Sequence, residues 1–520
     1  MGEEELLKWA VLNGITDASG STTSRIVHSL IIATFPQSGG RGLAAARDLK
    51  EGELILVVPE SSLLNVGSFK GDEHISRLLK TFSHLSDFQL LVTILLREVA
   101  RGESSKWFVY LQTLPRSYHT FSQFQPFEIQ ALQVQDAVST AKYAAAEAHK
   151  QWMEAKPFLE DLGLKGRFVT WRAWQWAHAT VSSRTLHVPW SNAGTLCPVG
   201  DLFNYAPPGA YQAEAIQKTS CCSISDLHAE DISPLEKNLS AHEVCELDAC
   251  NTGGNLYFTD RLTDGGYDMN LKSYCFYARE NYKKGDEVLL CYGLHTNLEL
   301  LEHYGFLLPF NPNDKVYLGL DEFYGFACDK PQHGSMHIEV DGRPSFQLLA
   351  ALRLCFVSKA VRQQKGHLAL CGQQLSIEND VLVYQRLKER CLALLHEFPS
   401  TLHMDSVLEH ILSLCSTFDG LIGLLELCGN IKSLSAESQK LLVGSVCGWT
   451  ALHLQEREFI LHELHNFSQH DSRGSGKSAS IEDLGLKMER WWLSIRWRFC
   501  HKRILHRCVN HCARQLLLLE

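Results

Sequence analysis

The sequence predicts an α+β fold, because short apolar strands and long helical patterns occur in the same chain. Residues 54–58 and 288–292 are continuous apolar runs with the length of a strand buried on both faces. Helical periodicity covers residues 75–100, 345–356 and 378–396. The chain is therefore expected to combine short strands with extensive helical regions.

The composition excludes several classes of protein. The 520 residues are enough for two or three domains, and 45% hydrophobic with 21% charged residues is ordinary for a globular protein. No apolar run approaches the roughly eighteen residues of a membrane span, and the first residues lack the basic flank of a signal peptide. The formal net charge of −10 argues against a surface that coats nucleic acid.

The 17 cysteines are scattered along the chain rather than grouped in a compact disulfide framework. Their odd number and wide spacing indicate free thiols in a reducing compartment. We therefore expect a cytoplasmic or nuclear protein. We also expect it to be monomeric and to have no contact with a membrane.

The stretch 285–306 joins a strand to a capped helix. Thr296 and Glu299 have the spacing of a capping box, and Gly305 stands where a C′ glycine ends a helix. These signals predict a helix over residues 297–304.

Two Tyr-Gly pairs flank this helix, at Tyr292 and Tyr304, and Phe306 follows the second. Buried tyrosines before glycines are usually core residues with a satisfied hydroxyl. The alternative is that the two hydroxyls and the aromatic face of Phe306 point into one pocket. These residues alone leave both interpretations open.

Residues 26–34 are predicted as a strand that enters a glycine-rich loop containing Gly39, Gly40 and Gly42. A flexible hairpin loop is the simplest interpretation, although glycine also lets a ligand approach the backbone closely. The spacing does not match a dinucleotide-binding fingerprint.

A helical region follows the second strand. Ser86 and Gln89 form another capping box within residues 75–100, and an alanine-rich helix is predicted at about 127–155. A tryptophan-rich helix is predicted at about 171–181. Its residues at helical spacing are interpreted as core rather than as a cofactor site: Trp171, Trp174, His178 and Val181.

Residues 207–264 are acidic and poorly periodic, which is typical of a surface insertion. Cysteines and histidines occur there without the spacing of a zinc site, so no metal is predicted. Further helices are predicted at 406–428 and 437–466. The tail from Lys487 to Arg514 alternates basic and aromatic residues and is expected to dock its aromatics on the core, with its arginines in water.

Four separated motifs occur in the order found in SET-domain methyltransferases, which the chain resembles. They are Gly40-Arg41-Gly42-Leu43, Ser183-Arg184, the segment from Asp201 to Tyr205, and the segment from Tyr292 to Phe306. A further pattern resembles the signature that opens the helical insertion in the Rubisco large-subunit methyltransferase-like branch. It consists of Ser105, Trp107, Tyr110, Leu114 and Pro115.

This resemblance implies an α+β protein with a SET-domain β-fold over residues 24–310, including a threaded C-terminal segment. The SET domain would carry a helical insertion at about 70–181 and the acidic insertion at about 207–264. An all-α substrate-binding domain would follow at 315–466. The flanking parts would be a helical segment at 1–23, a Ser/Gly-rich linker at 467–482 and a basic aromatic helix at 483–520.

The resemblance also implies S-adenosylmethionine as the cofactor. The residues at the family's cofactor-binding positions are Arg41, Gly42, Leu43, Ser183, Asp201, Asn204, Tyr205, Tyr292 and Phe306. The residues at its catalytic positions are Tyr292, Arg184 and Tyr304. The chain departs from the family pattern at Tyr205, where a histidine is usual.

The implied function is methyl transfer to a side-chain nitrogen of a protein substrate, with a lysine of a non-histone protein expected first. Three alternatives remain at this point: a protein-histidine methyltransferase, a cofactor- or peptide-binding module with weak catalysis, and a nucleic-acid adaptor that uses the basic tail. Nucleic acid is not the partner we expect.

Overall fold

The computed structural model describes residues 3–17, 28–35, 40–69, 73–207, 264–319, 336–414 and 477–520. The strands before the C-terminal domain are short: β1 (Leu30–Phe35), β2 (Gly40–Ala45), β3 (Leu54–Pro59), β4 (Thr185–Val188), β5 (Ser191–Leu196), β6 (Asn204–Tyr205), β7 (Gly265–Asp268), β8 (Ser273–Tyr277) and β9 (Leu289–Leu290). They form small separate sheets, of which β3-β8-β7 has three strands.

Two pairings bring the predicted motifs together. Strand β1 pairs antiparallel with β2, with Ala33 opposite Gly42. Gly40, Arg41 and Gly42 therefore lie in a strand, and the prediction of a loop at these positions is wrong, because their backbone pairs with β1. Strand β6 pairs in parallel with β9, which sets Asn204 opposite Leu289.

The apolar run 288–292 contributes only Leu289–Leu290 as a strand, which is shorter than predicted. The capped helix that follows is confirmed as α8 (Asn297–His303), with both hydrogen bonds of the Thr296–Glu299 capping box present. Gly305 follows it in a left-handed conformation with φ of 79°. A β-carbon at Gly305 would lie 2.7 Å from the carbonyl carbon of His119, so this close approach also requires glycine.

The helical region after β3 packs over these sheets. Its longer helices are α2 (Glu73–Thr81), α3 (Asp87–Arg101), α6 (Gln135–Asp161) and α7 (Trp171–Arg184). Two short helices, α4 (Phe108–Leu111) and α5 (Pro126–Gln130), lie between α3 and α6. Helix α1 (Glu3–Leu12) comes before β1. The pattern at 75–100 is thus two helices, the second capped by Ser86 as predicted. The alanine-rich helix starts at Gln135, later than expected. Trp174 and Val181 are fully buried, which confirms their assignment to the core.

The C-terminal domain is mostly helical. Its helices are α9 (Phe346–Cys355), α10 (Lys359–Leu370), α11 (Ile377–Glu397), α12 (Leu402–Leu414) and α13 (Lys477–Leu519), and it also contains the hairpin β10 (Lys315–Tyr317) with β11 (His337–Glu339). Helix α10 and the hairpin had no counterpart in the prediction. The predicted helix at 437–466 and most of the acidic insertion lie outside the described residues.

Helix α13 corrects two predictions about the tail. Residues 477–482 are helical, so the part of the predicted linker that is described belongs to α13. Trp491 and Trp497 are buried as expected, whereas Trp492 and Phe499 are only partly buried. Arg498 and Lys502 are also fully buried, because both contact the carboxylate of Asp405 on α12. The long helix therefore ties the C-terminal domain together by buried ion pairs as well as by apolar packing. Within the described ranges, no helix is both long and apolar enough to cross a membrane.

Candidate active site

A cavity of about 410 Å³ opens between the end of α7 and strands β4, β7, β8 and β9. Five predicted site residues line it: Ser183, Arg184, Asp201, Tyr292 and Tyr304. The remaining wall is largely aromatic and apolar, and includes Leu186, Tyr267, Tyr274, Phe276 and Leu290. The structure thus places both predicted tyrosines of the two Tyr-Gly pairs in one pocket.

Asp201 forms a buried anchor in this cavity. Its side chain is 1% exposed, and Oδ2 accepts hydrogen bonds from the Tyr110 hydroxyl at 2.8 Å and from Nη1 of Arg184 at 3.2 Å. Nη1 of Arg184 also donates to the Asp201 carbonyl at 3.0 Å. Arg184 is partly buried, with 19% of its side chain exposed; this desolvation by itself lowers its pKa, but the Asp201 carboxylate and neighbouring tyrosines raise that pKa above its usual range. Arg184 therefore stays charged and fixed.

The carboxylate of Asp201 is not saturated. Its Oδ1 atom is buried and has no hydrogen-bond partner in the part of the chain that the structure describes. A buried carboxylate oxygen without a donor is costly unless a ligand supplies one. The Asp201 carboxylate is therefore only half paired, and its free oxygen lies inside the cavity wall rather than on its surface.

The hydroxyl of Tyr292 donates to the carbonyl oxygen of Phe203. Its hydrogen is thus used within the protein, and its oxygen keeps lone pairs that can accept a hydrogen bond. Burial raises the pKa of Tyr292, as does the neighbouring Tyr304, so the phenol stays protonated. The Tyr292 and Tyr304 rings are 5.5 Å apart, and Tyr304 lies 6.1 Å from Phe306.

On the β2 side of the site, the backbone of Gly42 lies close to the side chains of Asn204 and Glu287. A β-carbon at Gly42 would lie 2.6 Å from Nδ2 of Asn204 and 3.1 Å from Oε1 of Glu287. Nδ2 of Asn204 donates to Oε1 of Glu287 at 2.7 Å, which fixes the amide. This contact explains why glycine is needed at position 42, a reason that the local sequence does not reveal.

The neighbours of Gly42 have other roles. Leu43 is 1% exposed as a whole residue and belongs to the core, and its carbonyl accepts a hydrogen bond from the Val288 N–H at 2.8 Å. Arg41 donates from Nη2 to the carbonyl of Thr113 at 2.6 Å, which fastens strand β2 to the segment after α4. The side chain of Ser183 lines the cavity but donates to the Ala179 carbonyl of its own helix.

Tyr205 occupies the position where the family usually has a histidine. Its hydroxyl donates to the carbonyl of Gly293 at 2.8 Å, and its ring lies 5.2 Å from Tyr292 and 6.2 Å from Phe306. Burial raises the pKa of Tyr205 to about 12. The residue therefore acts as a neutral aromatic neighbour of Tyr292, outside the lining of the cavity, to which Phe306 does not belong either.

Several residues of the site escaped the sequence analysis. Tyr110 was not among the predicted site residues, yet its hydroxyl donates a hydrogen bond to the carboxylate of Asp201. A phenol inside an otherwise apolar helix was the available signal. No signal in the sequence pointed to Glu287, Tyr274 or Phe276, because their positions depend on pairings between distant strands.

Comparison with known proteins explains this arrangement. Protein SET DOMAIN GROUP 40 of Arabidopsis thaliana is 36% identical over 519 residues, which cover 99% of this chain and 96% of that protein. The chain belongs to the SET-domain protein methyltransferases. Residues 308–428 of this SET-domain protein match the family described as Rubisco LSMT substrate-binding.

Solved structures show the same fold. The SET domain of LSMT bound to lysine and AdoHcy has a TM-score of 0.53 at 16% identity, with coverage of 100% of this chain and 92% of that chain. The actin-histidine N-methyltransferase of Mus musculus is a more distant relative, 23% identical over 78% of this chain and 62% of that protein. The chain is therefore a SET protein of the LSMT branch.

SET-domain methyltransferases use S-adenosylmethionine, and the residues of this chain fit that cofactor. The narrow approach of Gly42 to Asn204 leaves backbone rather than side chain at the surface of β2. Tyr205 and Phe306 provide aromatic faces, and Asn204 is only half-buried, so its amide oxygen can accept a hydrogen bond. All nine predicted cofactor contacts remain predictions. Ser183, Asp201 and Tyr292 line the cavity, whereas Arg41, Gly42, Leu43, Asn204, Tyr205 and Phe306 do not.

Proposed function

We propose that this methyltransferase transfers a methyl group to the side-chain amine of a lysine in a non-histone protein. The observation that carries the proposal is the cavity in which the rings of Tyr292 and Tyr304 lie 5.5 Å apart beside apolar walls. A solved structure of the same fold, the SET domain of LSMT, is bound to lysine, which supports lysine rather than histidine as the acceptor.

The walls of the cavity suit the aliphatic stem of lysine. Leu186, Phe276 and Leu290 offer apolar surface, and Tyr267 and Tyr274 add aromatic faces. Four methylene groups packed against such walls gain hydrophobic stabilisation along the whole side chain. The match of residues 308–428 to a substrate-binding family supports a folded protein as the substrate.

The acceptor must lose its proton before it can react. At neutral pH the neutral amine of an ordinary lysine costs about 4 to 5 kcal/mol. Desolvation between the aromatic walls lowers the pKa of the amine and reduces this cost. Bound S-adenosylmethionine supplies the methyl group and a positive charge that disfavours the ammonium form.

Tyr292 then orients the amine. Because its hydrogen is donated to the Phe203 carbonyl, its oxygen accepts an N–H of the amine and directs the nitrogen lone pair away from the phenol. Arg184 and Tyr110 hold Asp201 in place while the substrate enters. Catalysis in this scheme is mainly positioning within a water-poor cavity.

The proposal is tested by incubating the purified chain and methyl-labelled S-adenosylmethionine with a protein extract, followed by mass spectrometry of the labelled sites. A parallel incubation with Tyr292→Phe identifies the label that other enzymes in the extract introduce, which is then subtracted. Label on lysine that depends on Tyr292 is the expected result. Label mainly on histidine would replace lysine as the acceptor, and cofactor binding without any label would indicate a binding module.

A further inference from the structure

A second cavity, of about 260 Å³, lies between the segment after α4, helix α7 and the N-terminal half of α13. It shares no lining residue with the methyl-transfer cavity. Its polar lining consists chiefly of three arginines and three glutamines: Arg116, Arg172, Arg490, Gln123, Gln125 and Gln175. Nothing in the methyl-transfer reaction uses this site.

The lining of this cavity is strongly positive. It contains three guanidinium groups and, among the described residues that form it, no carboxylate. Arg116 and Arg172 are exposed and form no ion pair within the described ranges. The whole chain has a net charge of −10, so this local excess of positive charge runs against the average of the surface.

Arg490 is the buried arginine of this cavity, since it is only 6% exposed. Its Nε contacts Oε1 of Glu128 at 3.2 Å, while its two terminal nitrogens have no hydrogen-bond partner in the described part of the chain. The other nearby carboxylate, Glu489, lies 2.9 Å from Nε2 of His119. Neither carboxylate lines the cavity. Glu128 offsets the charge of Arg490 from outside the lining, whereas Arg116 and Arg172 have no ion-pair partner among the described residues.

The wall between the arginines is held by reciprocal amide contacts. Nε2 of Gln123 donates to the carbonyl of Gln175 at 2.8 Å, and Nε2 of Gln175 donates to the carbonyl of Ser122 at 3.1 Å. These bonds fasten the segment that carries Arg116 to the helix that carries Arg172. The positive groups are therefore presented by a fixed framework rather than by independent surface loops.

We propose that this cavity binds a phosphate group, carried by a small molecule or by a phosphorylated side chain. Guanidinium groups present paired N–H donors that match phosphate oxygens, and several of them stabilise a dianion. A single carboxylate of an acidic residue has one charge and two oxygens, and would leave most of the arginine donors unused. A phosphate ester balances more of the charge and has three free oxygens.

Titration calorimetry of the full chain at constant ionic strength tests this proposal with three probes. They are inorganic phosphate, phenyl phosphate and a blocked tripeptide that contains phosphoserine, each compared with a chloride or unphosphorylated counterpart. We expect saturable binding with a Kd of about 1 mM or tighter. The double variant Arg116→Gln/Arg172→Gln should weaken it by about tenfold or more.

Arg167→Gln is the matched control, because Arg167 is also exposed but stacks on Phe168 outside the cavity. It should bind the probes as the wild type does. Cofactor binding and the thermal melt of each variant show that it is folded, and the two single variants replace the double variant if that one does not fold. None of these measurements depends on methyl transfer, so this proposal and the proposed function fail independently.

The probes also distinguish the two possible carriers of the phosphate group, a phosphorylated protein and a small molecule. Tightest binding of the phosphoserine tripeptide assigns the site to a phosphorylated protein, whereas equal or tighter binding of phenyl phosphate or inorganic phosphate assigns it to a small molecule. Absence of saturable binding for all three probes overturns the proposal. Binding that is unchanged in the double variant overturns it as well.

Discussion

Nη1 of Arg184 lies 3.2 Å from Oδ2 of Asp201, and this largely buried ion pair lines the cavity that we propose for methyl transfer. The two residues come from different elements, the end of α7 and the turn before β6. The pair fixes the positive and the negative group of the cavity relative to Tyr292.

Asp201→Asn should therefore lower both stability and methyl transfer. It leaves the largely buried Arg184 without its negative partner, and breaking such a pair costs about 3 kcal/mol or more. Urea unfolding and single-turnover methylation measure the two effects. Asp341→Asn is a suitable control, since its pair with Arg343 is exposed and worth at most about 1 kcal/mol. Equal losses in both variants would show that Asp201 has no special role.

Tyr292→Phe should reduce methyl transfer steeply while changing cofactor affinity little. The substitution keeps the ring but removes the hydroxyl that donates to Phe203 and accepts from the amine. An interaction made with the reacting nitrogen appears in turnover rather than in binding of the cofactor. Single-turnover rates and calorimetry are compared with those of Tyr267→Phe. This variant is the control, because the hydroxyl of Tyr267 donates to Glu60 instead. Normal turnover of Tyr292→Phe would end its catalytic assignment.

Gly42→Ala should weaken cofactor binding, because the added methyl would lie 2.6 Å from Nδ2 of Asn204 and displace it. Asn204→Ala should also weaken binding, by about tenfold, because the cofactor loses a polar partner. The double variant relieves the clash, so its loss should be smaller than the sum of the two single losses. Strict additivity in calorimetry would contradict this contact.

Acid should destabilise the fold through His178. Burial lowers the pKa of His178 from about 6.5 to about 4, so below about pH 6.5 the unfolded chain binds a proton that the folded chain does not. Stability therefore falls as pH decreases from about 6.5 to about 4, by up to about 1.4 kcal/mol per pH unit. Burial acts in the same direction on the pKa of His501.

Replacing His178 isolates its share of this effect. His178→Phe preserves the aromatic contact with Phe88, whose ring centroid is 4.9 Å away, and should flatten the stability profile measured by urea unfolding from pH 4.5 to 7.5. His367→Gln changes an exposed histidine and should leave the profile as it is. An unchanged slope in His178→Phe would contradict the assignment.

The sequence determined the features that depend on neighbours along the chain. The Ser86 and Thr296 capping boxes, the glycine after α8 and the helices predicted at 345–356 and 378–396 follow from spacing over a few residues, and these are present. The order of the motifs was sufficient to indicate the SET family, because each motif is a short local pattern.

Tertiary structure alone decided which of these residues meet. Asp201 is paired with Tyr110 and Arg184 because α4, α7 and the turn before β6 converge, and spacing along the chain carries no record of that convergence. The same reason made the prediction for the tail wrong. Arg498 was expected in water, but it is buried against Asp405, 93 positions away, and Lys502 is buried against the same carboxylate, 97 positions away. Burial of a charge depends on a partner that only the folded chain supplies.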